Sequence, residues 1–335
     1  MIKHPYIFSI VFMSLISISG LKSHAAGHPI REKLISETCL PQQKELLAWQ
    51  ESTGTLALMN EDQIVWKFNF SKAEGKPYFH PLSTVDGVVL TELRPVDHPW
   101  HRGIWFAWKF LNGLNYWEED LKTGKSEGCT EIKSVKTRQA KNFEANIELI
   151  IGYHPEDQPD ILNEKRIIHV SAPKSDGSYH IDWESTFTVL ADEVLFGRTP
   201  LPNEPDGKSW GGYAGFSARL NNHFQEVVAR NEKGETNIAT GNQSRWMTFE
   251  MKNKESELAS ITIFDHPENV NFPNKWYIAI RPDTPFYYFS PSILYDSKMT
   301  LKKGKQLNLK YRLLVSPGKP DATSIQLNWN EFQHK

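Results

Sequence analysis

Apolar and polar residues alternate along most of this chain, in stretches of about five to ten positions that end at Gly, Asn, Asp or Pro. A period of two places successive side chains on opposite faces, which predicts β-strands. Residues 55–59 and 64–68 show this pattern, and the turn-forming residues 60–62 lie between them. We therefore predict a β-hairpin here.

The same period recurs toward the C-terminus. Further predicted strands cover residues 87–93, 103–110, 114–117, 129–138, 143–153, 161–171, 179–190, 213–220, 245–252, 259–264, 276–280, 286–289 and 306–315. No window of about a dozen residues keeps the spacing of an amphipathic helix. About fifteen strands exceed an immunoglobulin-type sandwich and favour a large antiparallel double sheet. We predict an all-β sandwich, supersandwich or jelly-roll-like, forming one domain over residues 26–335.

Residues 1–25 have the features of a secretory signal peptide. Lys3 precedes an apolar run at 6–18, and residues 23–25 offer a small-x-small cleavage site. The run is shorter than the ~20 residues that span a membrane, and serines interrupt it. We therefore expect an exported protein, periplasmic or secreted, with no membrane insertion after the signal is removed.

Export also changes the charge and the expected cysteine chemistry. Removing residues 1–25 would take away Lys3 and Lys22 and no acidic residue, so the net charge would change from −2 to −4. A mildly acidic surface disfavours binding to nucleic acid. In an oxidising compartment Cys39 and Cys129 are able to form a disulfide, and two buried free thiols are the alternative.

The densest group of reactive side chains lies just before the predicted strand at 103–110. Asp97, His98, His101 and Arg102 fall within six residues. Pro99 sets a turn that is able to aim both imidazoles into one cleft. A polar turn whose histidines bond only to the backbone is the alternative, but this combination favours a functional site.

Two further histidines have similar surroundings in the sequence. His80 precedes Pro81, and the Asp-His-Pro tripeptide of residues 97–99 recurs at 265–267. Because proline keeps the preceding residue out of the α region, each of these histidines is held extended. His266 either supports its turn or contacts the substrate directly.

A metal site needs three or four N, S or O ligands that converge. The candidate ligands are His80, His98, His101 and His266, with Asp97 or Glu118. Their spacing matches no specific zinc motif, so the metal ligands stay unknown, and a divalent metal is one hypothesis beside no cofactor. The sequence has no Gly-x-Ser-x-Gly elbow, Gly-rich phosphate loop or CxxC motif.

Aromatic residues make up 12% of the chain and crowd the regions around these histidines. About half of those in strands should face the core, and the others suit a sugar ring stacked on an aromatic face. We predict this role for Trp100 or Trp105. The longest strand-free stretch, 198–212, is expected to be functional, with Arg198 as a substrate-binding candidate.

These motifs resemble the PmoA-like family of exported bacterial proteins. The matching residues are His80-Pro81-Leu82, 87–91, 97–108, Asn112-Gly113, Tyr116-Trp117-Glu118, 211–219, 265–269, 301–304 and Tyr311-Arg312. Such proteins often have His-Pro-His-His-Arg where this chain has Trp100 as the third residue. The resemblance implies polysaccharide degradation by a lyase-type reaction: elimination of water from a terminal uronic acid, leaving a 4,5-unsaturated sugar. Sulfated algal polysaccharides such as ulvan would be a suitable source.

The residues can be assigned to the steps of this elimination. Removing the proton beside a uronate carboxylate needs a base, and it needs a cation on the carboxylate. Arg102 is predicted to clamp the carboxylate. Of His98 and His101, one is the predicted base and the other the acid, while Asp97 sets a tautomer or helps to bind the substrate. Further candidates are Tyr213 and His266 for acid or base and His80 for orienting the sugar.

Two other functions stay open at this point. A glycoside hydrolase would use two carboxylates, either Glu118 with Glu119 or Asp265 with Glu268. A non-catalytic carbohydrate-binding protein would use the aromatics as a platform and the histidines as turn supports. In each case the expected partner is an oligosaccharide.

Overall fold

The computed structural model describes residues 46–335, which all lie in one compact unit, Gln43–Lys335. The predicted signal peptide and Cys39 lie outside the described residues. The pairing of Cys39 with Cys129 therefore stays a prediction. In the described part of the chain, no helix is long and apolar enough to cross a membrane.

Residues 46–335 form twenty strands, a 3-10 helix at Lys72–Glu74 and one α-helix, α1, at Ala322–Phe332. In chain order, the strands are β1 (Leu47–Ser52), β2 (Thr55–Asn60), β3 (Gln63–Asn69), β4 (Tyr78–Leu82), β5 (Ile104–Ala107), β6 (Phe110–Leu111), β7 (Leu114–Asn115), β8 (Gly128–Gln139), β9 (Ala145–Pro155), β10 (Leu162–Val170), β11 (Tyr179–Val189), β12 (Glu193–Gly197), β13 (Gly215–Arg219), β14 (Glu226–Asn231), β15 (Trp246–Lys252), β16 (Leu258–Asp265), β17 (Trp276–Arg281), β18 (Phe286–Pro291), β19 (Met299–Lys302) and β20 (Gln306–Pro317).

Two eight-stranded antiparallel sheets form a sandwich. The first has the order β1-β2-β3-β4-β5-β13-β18-β17 and the second β14-β15-β16-β20-β11-β10-β9-β8, while β19-β12-β6-β7 form a small third sheet. Aromatic side chains join the two large sheets: the ring centroids of Phe106 and Phe187 are 5.2 Å apart, and those of Phe249 and Phe289 are 3.6 Å apart. The predicted all-β, antiparallel double-sheet sandwich is confirmed.

One predicted strand does not form. Residues 87–93 make only isolated bridges, and these pair with three different partners: Val89 with Ser83, Thr91 with Leu220, and Leu93 with Arg102. Because the partner changes at every second residue, no continuous ladder of hydrogen bonds builds up. The segment instead braces the loop that carries the first histidine cluster.

The helix α1 was not predicted. Asp321 caps it by accepting a hydrogen bond from the backbone N–H of Ser324 (2.7 Å). Ile325, Trp329 and Phe332 are buried in a cluster with side chains of the second sheet. Its apolar residues do follow helical spacing, but the helix has only 11 residues, fewer than the dozen or so over which an amphipathic pattern is expected to show.

Candidate functional site

The candidate site lies on the outer face of the first sheet. Along β5, Ile104 and Phe106 point into the sandwich core, so the strand period turns Trp105 to the opposite face. Tyr288 of β18 lies on the same face, with its ring centroid 6.1 Å from that of Trp105. Together these rings form a buried aromatic floor.

A cavity of about 260 Å³ lies on this face. It is lined by His98, Trp100, His101, Trp117, Glu118, Trp210, Tyr213, Tyr277, Arg281, Phe286 and Tyr288. Seven of these eleven residues are aromatic, and the others supply two imidazoles, one carboxylate and one guanidinium. Aromatic walls with a few converging polar groups are typical of a binding site for a small molecule or a sugar.

A larger depression, of about 720 Å³, lies beside residues 221–225. Its charged residues Lys254, Glu255 and Glu257 are exposed on a loop. Size alone does not make a reactive site, and we assign the chemistry to the smaller cavity because buried and oriented polar groups converge there.

His98 is oriented by Asp97. The His98 Nδ1 lies 2.8 Å from Asp97 Oδ2, and Arg219 Nη2 donates to both carboxylate oxygens (3.0 and 3.1 Å). Partial burial would raise the pKa of Asp97, but the hydrogen bond from His98 and the charge of Arg219 lower it. An ionised Asp97 accepts the proton of Nδ1, so the neutral His98 ring keeps its lone pair on Nε2.

His101 stacks on His98, with ring centroids 4.7 Å apart, and on Tyr288 at 5.2 Å. Its Nδ1 is buried and has no hydrogen-bond partner among the described residues. Burial, followed by the charges of His98 and Arg219, lowers the pKa of His101 well below its usual value. His101 is therefore a neutral imidazole near pH 7, suited to hydrogen bonding rather than to carrying charge.

Glu118 and Tyr213 form a second polar pair in the cavity. The Tyr213 hydroxyl donates to Glu118 Oε1 (3.1 Å), while Lys109 and Asn115 donate to Oε2. Burial opposes ionisation of Glu118, but Lys109 and the hydrogen bonds from Asn115 and Tyr213 lower its pKa. Burial, followed by the charge of Glu118, raises the pKa of Tyr213, so this phenol stays protonated.

Arg281 is the cation of the cavity. It ends β17, and its guanidinium carbon lies 5.3 Å from the ring centroid of Phe286. The His98 ring lies 4.9 Å from the same centroid. Within residues 46–335, Arg281 forms no salt bridge. The oriented His98 imidazole and the exposed Arg281 guanidinium therefore lie beside the same aromatic ring, whose centroid is also 4.1 Å from the guanidinium carbon of Arg219.

Residues 55–330 match the model of a family of unknown function, DUF6807. The chain belongs to this family. No curated protein matches the sequence. The resemblance to PmoA-like proteins stays a prediction.

Two solved structures are similar to this DUF6807 chain only at a low level. The first is a provisionally assigned aldose 1-epimerase from Klebsiella pneumoniae, with 10% identity and a TM-score of 0.36, covering 87% of this chain and 90% of that one. The second is the galactosidase domain of an alpha-galactosidase–sucrose kinase, with 8% identity and a TM-score of 0.35, covering 83% and 41%. At TM-scores this low, neither structure informs the function of this chain.

Arg102, the predicted carboxylate clamp, does not line the cavity. Its Nη1 donates to Glu74 (2.5 Å) and its Nη2 to Glu119 (2.5 Å), while Lys76 also donates to Glu119 (2.9 Å). Burial lowers the pKa of Lys76 to about 8, although Glu119 opposes this effect. Arg102 is buried in an ion network, and its terminal nitrogens are already paired, so its predicted contact with a substrate carboxylate is corrected.

Arg198 is also engaged elsewhere. It pairs with both carboxylate oxygens of Glu204 (2.6 and 2.7 Å), and its Nε donates to the Leu294 carbonyl (2.8 Å). These bonds anchor the loop 198–212, which corrects the predicted substrate contact of Arg198. The loop does reach the site, through Trp210.

The predicted roles of His266 in acid–base chemistry and of His80 in orienting the sugar are corrected, because both histidines lie outside the cavity. His266 directly follows β16 of the second sheet, with its ring edge-on to that of Phe332 and the centroids 4.9 Å apart. The Nδ1 of His80 bonds to Thr91 Oγ1 (3.0 Å), and burial, followed by the charge of Lys67, lowers its pKa to about 4. Neither histidine lines the cavity.

The two predicted stacking residues differ in position. Trp105 lies in the buried floor beneath His101, with ring centroids 5.1 Å apart, and does not line the cavity itself. Trp100 does line it, and its Nε1 is buried without a hydrogen-bond partner among the described residues. Of the two predicted stacking residues, only Trp100 lines the cavity, where its ring is able to contact a ligand.

The structure supplies no ligand set for the metal hypothesis. Residues 46–335 contain no group of three or more His, Cys, Asp or Glu side chains placed to hold a metal ion. His80 and His266, two of the proposed ligands, lie apart from His98 and His101. The identity of any metal stays unknown.

Several cavity residues escaped the sequence analysis, most notably Arg281 and Phe286. The signal for Arg281 was available: Tyr277, Ala279 and Arg281 are spaced by two and therefore share one face of a strand. Arg219, which positions Asp97, ends the run 211–219 that carried the family resemblance. Neither Arg219 nor Arg281 lies beside a histidine in the sequence, so the local motif did not predict a role for either in the site.

Proposed function

We propose that this protein is a carbohydrate-active enzyme that eliminates water from the terminal uronic acid of polysaccharide-derived oligosaccharides, acting in the periplasm or outside the cell. The observation that carries the proposal is the pairing of His98, oriented by Asp97, with Arg281 across Phe286. Abstraction of a proton beside a carboxylate needs both a base and a cation. The cavity contains one of each.

In the proposed reaction, Arg281 pairs with the uronate carboxylate and stabilises the negative charge that develops on it. His98 Nε2 takes the proton from C5, and the electron pair of that C–H bond forms the C4–C5 double bond. The C4–O bond breaks, and Tyr213 donates a proton to the departing hydroxyl, which leaves as water. Solvent then carries the proton from His98 back to Tyr213. Ulvan-type oligosaccharides, with uronate ends, are the suggested substrates.

The surroundings favour such chemistry. The aromatic walls lower the local polarity around the polar groups, which strengthens the electrostatic interactions of the partly buried Glu118 and His98. His101 lines the cavity as a neutral imidazole, so it adds a ring to the wall without adding a charge. The scheme uses only side chains that line the cavity and requires no cofactor.

A glycoside hydrolase has less support. The usual mechanism places two carboxylates across the scissile bond, and Glu118 is the only carboxylate among the described residues that line the cavity. Glu119 bonds to Arg102 and Lys76 instead. Asp265 and Glu268 belong to the second sheet and its following loop.

The proposal is tested with purified protein and uronate-terminated oligosaccharides, followed by the ultraviolet absorbance of the unsaturated product. The matched control is the same oligosaccharide with its terminal carboxylate chemically reduced to an alcohol. We expect turnover of the first and none of the second, because the reduced sugar lacks both an acidic C5 proton and a partner for Arg281. Binding of uronate oligosaccharides without any turnover would indicate a carbohydrate-binding protein instead.

Arg281→Gln tests whether Arg281, and not Arg102, binds the carboxylate of the uronate substrate. Loss of a charge-assisted hydrogen bond should lower kcat/KM for the uronate substrate by about 10- to 100-fold. Lysine at this position should restore part of the loss through its charge. An unchanged kcat/KM for Arg281→Gln would contradict the assignment.

A further inference from the structure

Trp210 differs from the other aromatic residues of the cavity in its exposure. Its relative exposure is 51%, whereas Trp117 and Tyr288 are each exposed by 2%. The buried rings therefore form the inner end of the cavity, and Trp210 lies at its mouth.

The Trp210 ring has no aromatic or cationic neighbour to explain its position. Within residues 46–335 it takes part in no aromatic pair and no cation–π contact, whereas Trp100, Trp117 and Tyr213 each pack against another ring. A large apolar ring left in water forgoes the free energy of burial. At a cavity mouth, an exposed ring of this kind marks a surface that a ligand can cover.

The backbone that carries Trp210 is held in place. Gly212 N–H donates to the Thr199 carbonyl (3.0 Å), which closes the loop at its base. A side chain at Gly211 would place its Cβ 1.9 Å from the Pro200 carbonyl oxygen, so only glycine allows this close approach. With the Arg198–Glu204 pair, these contacts preorganise the loop and reduce the entropic cost of using Trp210 in binding.

The size of the cavity limits how much of an oligosaccharide it encloses. Its volume of about 260 Å³ is below the ~300–1,000 Å³ of pockets that enclose a drug-sized ligand. Such a space suits one sugar ring, and the rest of a bound oligosaccharide has to leave through the mouth. The next ring then passes Trp210.

We propose that Trp210 forms a second sugar subsite, stacking on the ring adjacent to the terminal uronate, so that the protein selects oligosaccharide chain ends over single uronic acids. This inference rests on the proposed function for the identity of the terminal ring. It adds a residue that determines substrate length and that plays no part in the elimination itself.

The test compares kcat/KM for a uronate trisaccharide with kcat/KM for a methyl uronide, in wild type, Trp210→Ala and Trp210→Phe. The ratio should favour the trisaccharide in wild type, fall by about tenfold in Trp210→Ala, and be largely restored in Trp210→Phe, since a phenyl ring still stacks. Leu327→Ala, at a residue 63% exposed on α1, is the control for removing an exposed apolar side chain and should keep the wild-type ratio. An unchanged ratio in Trp210→Ala would overturn the inference while leaving the proposed function intact.

A binding measurement separates this inference from the elimination. If the wild-type protein turns over no uronate substrate, the proposed function fails, and calorimetric titration with saccharides of one to four rings tests Trp210 alone. Affinity should then rise at the second ring in wild type and not in Trp210→Ala. Affinity that does not depend on chain length, or no binding of any saccharide, overturns the second subsite.

Discussion

The two Asp-His-Pro turns of this protein have the same local backbone and opposite surroundings. In the first, the N–H of His101 donates to the His98 carbonyl at 2.9 Å, and in the second the N–H of Asn269 donates to the His266 carbonyl at the same distance. The tripeptide therefore specifies a turn in both places. What the histidine does is decided by residues outside the tripeptide.

The aspartates show the difference most clearly. Asp97 is partly exposed and bonds to His98 and Arg219, which lower its pKa despite partial burial. Asp265 is fully buried and accepts hydrogen bonds only from neutral amides, those of Asn269 and Asn274. Burial raises the pKa of Asp265 to about 6, since no cation offsets it. The first turn therefore favours a charged aspartate beside a cation, and the second favours a neutral aspartate packed among amides.

The residue four positions after each aspartate continues the contrast. In the first turn it is His101, which stacks on His98 and lines the cavity. In the second it is Asn269, whose side chain bonds back to Asp265 Oδ1 (2.8 Å) and to the Lys310 carbonyl (2.7 Å). A short motif is thus informative about backbone shape, and its reactivity has to be inferred from the side chains that fold against it.

The largest expected effect is a difference in catalytic activity between alanine variants of the two histidines, His98 and His266. His98→Ala removes the proposed base and should lower kcat by about 10²- to 10⁴-fold, with little change in the free energy of unfolding because the ring is partly exposed. His266→Ala, its matched control, should keep the activity per folded molecule and lower stability, because it removes packing on Phe332. Kinetics and chemical denaturation of both variants provide the measurement. Equal activity losses would mean that the two turns share a function.

Alanine variants of the two aspartates, Asp97 and Asp265, should differ in how much unfolding free energy they lose. Asp265→Ala removes the acceptor of three buried N–H groups, the backbone N–H of Asn274 and one side-chain N–H each of Asn269 and Asn274, while the other side-chain N–H of each asparagine keeps its carbonyl partner. At ~1–3 kcal/mol for each unsatisfied group, we expect a loss of about 4 kcal/mol. Asp97→Ala should cost less, about 1 kcal/mol, because the Asp97 side chain is partly exposed and Arg219 keeps its bond to Glu92. Urea denaturation of the two variants would contradict this contrast if the losses were equal.

The sequence allowed the sandwich to be predicted because a period of two over many segments leaves few other folds. The same period explains why aromatic residues face both ways, as Trp105 and Phe106 do on β5. It wrongly predicted a strand at residues 87–93, whose bridges go to three separate places in the fold, one of them Leu220, more than 120 residues away. Pairing of that kind depends on tertiary contacts that no local pattern encodes.

The site was predicted in part, and the error has a physical cause. His98, His101, Trp100 and Tyr213 do line one cavity. Arg102 is adjacent to His101 in sequence, yet in an extended segment neighbouring side chains point to opposite sides, and Arg102 turns toward Glu74 and Glu119. Arg281 comes from a hairpin about 180 residues away, in which it pairs with Phe286, and only the order of strands in the sheet brings that hairpin beside His98.

The smallest expected effect is a difference in how stability depends on pH. Because the pKa of Asp265 is raised from its usual 3.8 to about 6, its contribution is fully present below about pH 4 and is lost as the pH rises through 6. The shift corresponds to at most ~3 kcal/mol. Asp265→Asn should lack this fall, so the unfolding free energy of wild type minus that of the variant should decrease by up to ~3 kcal/mol as the pH rises from 4 to 8. Asp97→Asn should show the opposite trend at lower pH, since the lowered pKa of Asp97 gives stability that is lost only as the pH falls. Among the described residues, the four histidines with lowered pKa values, His80, His101, His180 and His266, are present in both proteins of each pair, so their titration cancels in the difference. Parallel stability curves for wild type and Asp265→Asn would show that the second turn does not hold a protonated carboxyl group.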